Sequence, residues 1–373
     1  MAWQRRTLAE VMGQRVIYRN LEPVASDLPG LGQLWSVAGL QECTIPRKTT
    51  REYAHVVWLI LEEAQRLRGS GQPIERMLMI GDSARNDGAV ARNVGLEHAT
   101  RAFIGLDAPE VPRDCTIQQD VMTANRWDAL EDMLLWLQDT GFACDERLAV
   151  LVDIDKTIIG ARGRNDRIID LARVRAAEST ARSAIGADLD VEAFRSCYAR
   201  LNRPDCHWLT EDNQDYVAYL SIMVAGGACA ADSFWAMMVE RQCTDVAAFA
   251  AQCDRRIKHM PAGLAEVHRE VSDGLRRADP TPFKSFRRHE YLETIALMDV
   301  LPSDAPAADV LNQEIVITAE VLDVCQRLAG QGALVFGLSD KPDEASLPTA
   351  EMARQGGRGI HDTPMKVYGP LLR

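Results

Sequence analysis

The segment Leu148-Ala149-Val150-Leu151-Val152-Asp153-Ile154-Asp155-Lys156-Thr157 constrains the fold of this chain more than any other. An unbroken apolar run leads into two carboxylates spaced one residue apart. Such a run suits a strand buried on both faces, as in a parallel sheet covered by helices. Open α/β sheets bind ligands just outside the carboxyl ends of their strands, so Asp153 and Asp155 are expected at that edge. If the strand ends near Ile154, the two-residue alternation lapses and both carboxylates can converge. The plainer reading is a strand followed by an Asp-rich turn, and the rest of the chain decides between them.

Length and composition permit the richer architecture. A chain of 373 residues suits two domains, or one core carrying a large insertion. Apolar residues make up 47% and charged residues 26%, which excludes wholesale disorder. No apolar run approaches the ~18–20 residues needed to cross a bilayer, and Met1-Ala2-Trp3-Gln4-Arg5-Arg6 lacks the apolar stretch of a secretory signal. The expectation is a cytoplasmic protein with no membrane partner. Its nine cysteines are scattered with no Cys-x-x-Cys pair, which reads as reduced thiols rather than a disulfide frame or zinc site. A net charge of −12 argues against a nucleic-acid partner.

Taken in order, residues 1–40 are weakly patterned and read as an N-terminal extension without assigned function. Thr49 to Arg68 has the apolar periodicity of a helix, closed by Gly69-Ser70-Gly71. Arg76 to Ile80 reads as a second buried strand opening into Gly81-Asp82-Ser83-Ala84-Arg85-Asn86-Asp87-Gly88, with a helix from Ala89 to Val94. A strand over Ala99–Leu106 and a helix over Trp127–Gln138 complete an alternation that predicts a parallel sheet. From Ile159 to about Ser303 the pattern is helical throughout, with segments such as Val191–Leu201, Tyr216–Val224 and Leu264–Leu275. A helical stretch between sheet strands predicts an inserted domain. Ile317–Leu328 then reads as helix, Ala333–Leu338 as strand, and Ser339-Asp340-Lys341-Pro342 as a polar turn. The expected division is 1–40 extension, 41–159 first part of the core, 160–305 helical insert and 306–373 second part of the core.

Three strands thus end in polar residues of complementary kinds: Asp153 with Asp155, Asp82 with Asp87, and Ser339. Carboxylates converging at one edge repel each other unless a cation lies among them. All-oxygen ligation suits Mg²⁺. An Asp can then serve as nucleophile toward phosphorus, and a second Asp two residues on can move the proton of the leaving oxygen. A hydroxyl and an ammonium group are needed for the phosphoryl oxygens.

This constellation resembles the haloacid dehalogenase superfamily of hydrolases, mostly phosphatases. Asp153-Ile154-Asp155-Lys156-Thr157 is similar to the family's first motif, Asp-x-Asp-x-Thr, although the family usually has Gly where Lys156 stands. Ser339-Asp340-Lys341-Pro342 is similar to the second motif, and Gly81-Asp82 with Asp87 to the fourth. The resemblance implies a Rossmann-like α/β core with flanking helices and an all-helical cap inserted after the first motif. It also implies Mg²⁺-dependent hydrolysis of a small phosphorylated substrate through an aspartyl phosphate. Asp153 is then the nucleophile and Asp155 the general acid and base. Asp82, Asp153 and the backbone near Asp155 hold the metal, with Asp87 and the Asp155 carboxylate completing the candidate ligands. Thr157 and Ser339 join a lysine in binding the phosphoryl group.

The motif order departs from the family, since the fourth motif precedes the first. The chain reads as circularly permuted, its usual ends joined across about Thr140–Arg147, which compact domains with neighbouring termini tolerate. The rival is complementation between the partial domains of two chains. The phosphoryl lysine has two candidates: Lys48, before the helix that feeds the Asp82 strand, and Lys366, after Ser339. Lys48 is favoured by its position at a helix start. Lys341 reads as a turn residue, and Asn86, Asp87 and Asp340 as either supporting or turn residues. Arg162, Arg164 and Arg167 either line the cleft or lie in solvent. The histidines show no metal-ligand spacing. Two other functions remain open at this stage: a non-catalytic binding protein that keeps the fold, and carbon–halogen hydrolysis, which needs neither Asp155 nor Mg²⁺.

Overall fold

The computed structural model describes residues 2–372 and separates into two compact units, one formed by Met1–Ile169 with Ile295–Arg373 and one by Asp170–Thr294. The first unit is built on ten strands: β1 (Arg5–Arg6), β2 (Val16–Ile17), β3 (Arg76–Gly81), β4 (Ala99–Gly105), β5 (Cys115–Gln118), β6 (Val121–Ala124), β7 (Leu148–Asp153), β8 (Ile317–Thr318), β9 (Leu334–Leu338) and β10 (Met365–Tyr368). Seven of them form a sheet in the order β2-β9-β7-β3-β4-β6-β5. Every pairing in it is parallel except that of β5 with β6. The remaining three form a small sheet ordered β1-β10-β8.

The opening segment is the centre of the larger sheet. All six residues of β7 are buried, as a doubly covered strand requires. Alternate residues serve opposite faces: Ala149 and Leu151 join Met77, Met79, Leu334 and Phe336 in one core layer. Helix Arg51–Leu67 covers that layer with Tyr53, Val56, Val57, Ile60 and Leu61. Burying each such large aliphatic side chain is worth roughly 1.5–3 kcal/mol.

From β7 the sheet continues outward to β9 and β2, and from β3 it continues the other way to β4 and β6. The direction of winding therefore reverses between β7 and β3. At such a switch point the loops leaving two adjacent strands diverge to opposite faces and open a crevice. Asp153 ends β7 and Asp82 follows Gly81 at the end of β3, so the topology alone sets both carboxylates at the mouth of that crevice.

Several expectations need correction here. Residues 1–40 are part of the core rather than an appendage. Val16 and Ile17 pair in parallel with Gly337 and Leu338, and Ile17, Leu21, Leu28 and Leu31 lie in the core. Strands of two residues are too short to show periodicity, which is why the sequence reads as loop there. The segment Ile317–Leu328 divides into strand β8 and helix Ala319–Gly330. The hairpin of β5 and β6 was not anticipated, and its first strand is largely exposed, with no alternation to betray it. The termini lie together: Arg5 and Arg6 pair antiparallel with Lys366 and Met365, and the Trp3 and Tyr368 rings are 6.1 Å apart.

The second unit, Asp170–Thr294, is narrower than the expected 160–305. Residues 160–165 instead bond within the first unit, Gly160 N–H to Val316 O at 2.9 Å and the Asn165 amide to Leu311 O at 2.7 Å. This unit has its own core of Phe194, Tyr219, Phe234, Phe249, Phe283 and Phe286. Asp190, Asn213 and Asp245 cap its helices through backbone N–H groups. Three buried charges and the half-buried Arg173 are paired within it: Arg287 with Asp215 at 2.9 Å and Glu290 at 2.6 Å, and Arg173 with Glu290 at 3.1 Å. No described helix is long and apolar enough to cross a membrane.

Candidate active site at the sheet switch point

Local structure places each polar side chain. Thr50 caps helix Arg51–Leu67 by accepting from Tyr53 N–H, and the Thr50 N–H closes a turn on Arg47 O at 2.9 Å. That turn delivers Lys48 to the crevice. Its ammonium, almost fully buried, lies 2.8 Å from Asp153 Oδ1, 2.7 Å from Asp87 Oδ1 and 3.8 Å from Asp340 Oδ2. Asp87 opens helix Asp87–Val94, and its Oδ2 accepts from the backbone N–H groups of Asp82 and Ser83 at 3.0 and 2.9 Å. Gly81 is required for this clasp, because a Cβ there would stand 2.3 Å from Asp87 Oδ2.

Asp82, Asp87 and Asp153 each offer an oxygen within 4.8 Å of the others. All three come from one chain, so the ends of β3 and β7 bring these carboxylates together without a second copy. Asp82 is held on its other side by the Arg162 guanidinium at 2.5 Å. Asp153 Oδ2 accepts from the Thr157 hydroxyl at 3.3 Å. Thr157 was expected on the phosphoryl group; its hydroxyl instead steadies the Asp153 carboxylate.

Asp155 stands apart from this group. Its Oδ2 accepts from the Ser339 hydroxyl at 3.1 Å and its Oδ1 lies 3.1 Å from the Lys341 ammonium. Ser339 also accepts from Lys341 N–H at 3.1 Å. Only Ile154 separates Asp153 from Asp155, in a turn just past the end of β7 with its N–H bonded to Leu338 O at 2.9 Å, and the two carboxylates acquire different neighbours. The side chain of Asp155, expected among the metal ligands, lies outside the carboxylate cluster. Lys156, between Asp155 and Thr157, has φ of 64°, a conformation that favours glycine.

Two lysines change roles. Lys366 does not reach the crevice. It is fully buried with Glu314 Oε2 at 2.8 Å, Asp299 Oδ1 at 2.9 Å and Leu301 O at 2.8 Å. Lys341, read as a turn residue, is buried against Asp155. The signal was present in Ser339-Asp340-Lys341-Pro342, where the lysine stands two residues past the hydroxyl. Arg164 is a structural anchor, paired with Asp107 at 2.6 Å and Glu320 at 2.8 Å.

The electrostatics record an excess of negative charge. Burial, the Asp87 charge and then Asp82 raise the Asp153 carboxyl well above the usual range against the pull of Lys48. Burial also pushes Asp82 up to about 6, with Arg162 opposing and Asp87 adding to the rise. For Lys48 burial lowers the pKa, but Asp153 and Asp87 outweigh it and hold the ammonium charged. Asp82, Asp87, Asp153, Asp155 and Asp340 face three cationic groups, Lys48, Lys341 and Arg162. A buried all-oxygen set with surplus negative charge fits a hard divalent cation.

A raised carboxyl pKa has a measurable sign in metal-free protein. Its stabilising contribution is present below the unfolded value near 4 and is lost as pH rises through about 6. In the presence of chelator, Asp82→Asn should gain on the order of 1–3 kcal/mol relative to wild type between about pH 4 and pH 7. Denaturant melts across that range check this; a constant difference would contradict it.

A separate cavity of about 1030 Å³, lined by Trp3, Arg126, Arg164, Glu320 and Tyr368 among others, includes none of the crevice carboxylates. Charge and topology coincide at the crevice and not at that cavity. No protein family matches this chain, and neither a curated protein nor a solved structure matches it significantly.

Proposed function

We propose that the chain is a Mg²⁺-dependent phosphomonoester hydrolase of the haloacid dehalogenase type, with its motifs in permuted order. One observation carries this reading: the two carboxylates leaving β7 are held by different cations for different duties, Asp153 by Lys48 and Asp155 by Lys341. Asp153, steadied by Thr157 and Lys48, attacks phosphorus while the bond to the leaving oxygen breaks. Asp155 gives that oxygen a proton, then takes one from the water that cleaves the aspartyl phosphate. Lys48 stabilises the phosphoryl charge as it develops. Ser339 orients Asp155 and remains within reach of a phosphoryl oxygen. Asp82 and Asp153, with Asp87 behind them, would hold Mg²⁺, which supplies positive charge for the phosphoryl oxygens when bound.

The test is release of phosphate from para-nitrophenyl phosphate. Hydrolysis is expected with Mg²⁺, abolished by a chelator and restored by excess Mg²⁺. Hydrolysis unaffected by chelator would remove the metal from the account. An inert protein across a panel of small phosphate esters would favour a non-catalytic binding role.

A further inference from the structure

The catalytic cluster leaves three polar groups beside it without use. β2 lies next to β9, and beyond its end the chain runs along the loop that carries Ser339 and Lys341. Ser339 N–H bonds to Ile17 O and Arg19 N–H to Lys341 O, both at 3.0 Å. Arg19 Nε and Asn20 Oδ1 are buried there with no hydrogen-bond partner, and so is the hydroxyl of Tyr53, from the first turn of helix Arg51–Leu67. Tyr53 is 1% exposed. Its hydroxyl lies in the fields of Lys48, Asp340, Asp153 and Arg19, so these groups share one neighbourhood.

The Arg19 guanidinium has no carboxylate partner among the described residues. Arg162 and Arg164, by contrast, are paired, Arg162 with Asp82 and Arg164 with Asp107 and Glu320. Leaving a buried N–H and O–H unmade is costly, and the N–H of an unpaired cation together with the Tyr53 hydroxyl matches the donors an anionic oxygen needs. β2 is two strands from β7, which at the usual spacing is roughly 10 Å, the span of a small molecule rather than of a phosphoryl group in contact with Asp153.

We propose that Arg19, Asn20 and Tyr53 form a subsite for a second anionic group of the substrate, a carboxylate or a further phosphate. The inference rests on the phosphatase reading and narrows its substrates to small phosphomonoesters bearing that second charge. Arg19 and Tyr53 donate to the anionic oxygens, and Asn20 accepts from a neighbouring hydroxyl or amine.

The experiment compares matched pairs with Mg²⁺ present: phosphoserine with phosphoethanolamine, which differ by one carboxylate, and propanediol bisphosphate with propyl phosphate. The readouts are the ratio of kcat/KM within each pair and the affinity of each compound by calorimetry. Wild type should prefer one or both doubly anionic members. Arg19→Gln should reduce that preference by about 10- to 100-fold, Tyr53→Phe by about threefold to tenfold, and Arg19→Lys should retain part of it. Melting temperatures of the variants separate this from a folding defect. The pair that responds identifies the anion as carboxylate or phosphate. A preference equal in wild type and a folded Arg19→Gln, or no preference in wild type, overturns the subsite while leaving the phosphatase reading standing. Arg19-dependent binding of a doubly anionic compound without hydrolysis of any ester supports the subsite and overturns the phosphatase reading instead.

Discussion

Asp153→Asn is expected to lower turnover of a phosphomonoester by about 10⁴-fold or more, because removal of a nucleophile removes the pathway and not one contribution to it. The amide keeps the shape of the side chain and much of its hydrogen bonding to Lys48 and Thr157, so the protein should remain folded. Asp155→Asn should behave differently. Para-nitrophenolate leaves without a proton, so the phosphoenzyme should still form with this ester. Its hydrolysis should slow by about 10²–10⁴, the usual worth of a general base. Rapid-quench burst amplitudes distinguish the two variants. A burst from Asp153→Asn equal to that of wild type would remove Asp153 as the nucleophile.

The second large effect separates two buried lysines. Lys48→Ala should cut turnover by about 10²–10³, the cost of losing an electrostatic donor in a site shielded from water. Lys366→Ala should leave turnover unchanged at temperatures where the variant is folded, yet destabilise the protein by about 3–5 kcal/mol. It strands Glu314, fully buried, without its cation. Substituting Lys366 and Glu314 together by apolar residues should recover much of that loss, since replacing a buried pair is far cheaper than breaking one. Denaturant melts and steady-state assays on the same preparations check both halves. A stable Lys366→Ala with impaired turnover would reverse the assignment.

The parts of the fold that could be read from the chain were those with long apolar runs or helical periodicity. β3, β7 and β9 follow from their unbroken apolar segments, and the helices Val191–Leu201 and Arg51–Leu67 from their spacing and caps. β2 escaped because two residues carry no period, although its pairing with β9 completes the edge where Arg19 lies. The carboxylates of the crevice were legible because three strand ends bore them. Which carboxylate meets which cation was not, since that depends on backbone direction after the strand. Asp155 turns to Ser339 and Lys341, Thr157 to Asp153, and Lys366 away from the crevice altogether. Lys48 could be placed because a helix start fixes where its side chain enters. Tyr53 could not be singled out, because within helix Arg51–Leu67 an aromatic residue at that spacing reads as core.

The account turns on whether Asp153 carries the phosphoryl group. The direct measurement is an acid quench of the wild-type protein during turnover of a labelled phosphomonoester with Mg²⁺, followed by digestion and mass spectrometry of the β7 peptide. An acid-stable, base-labile phosphate is expected on Asp153 and should be absent when chelator is added first. Turnover without any label on Asp153, or label on another residue, would contradict it.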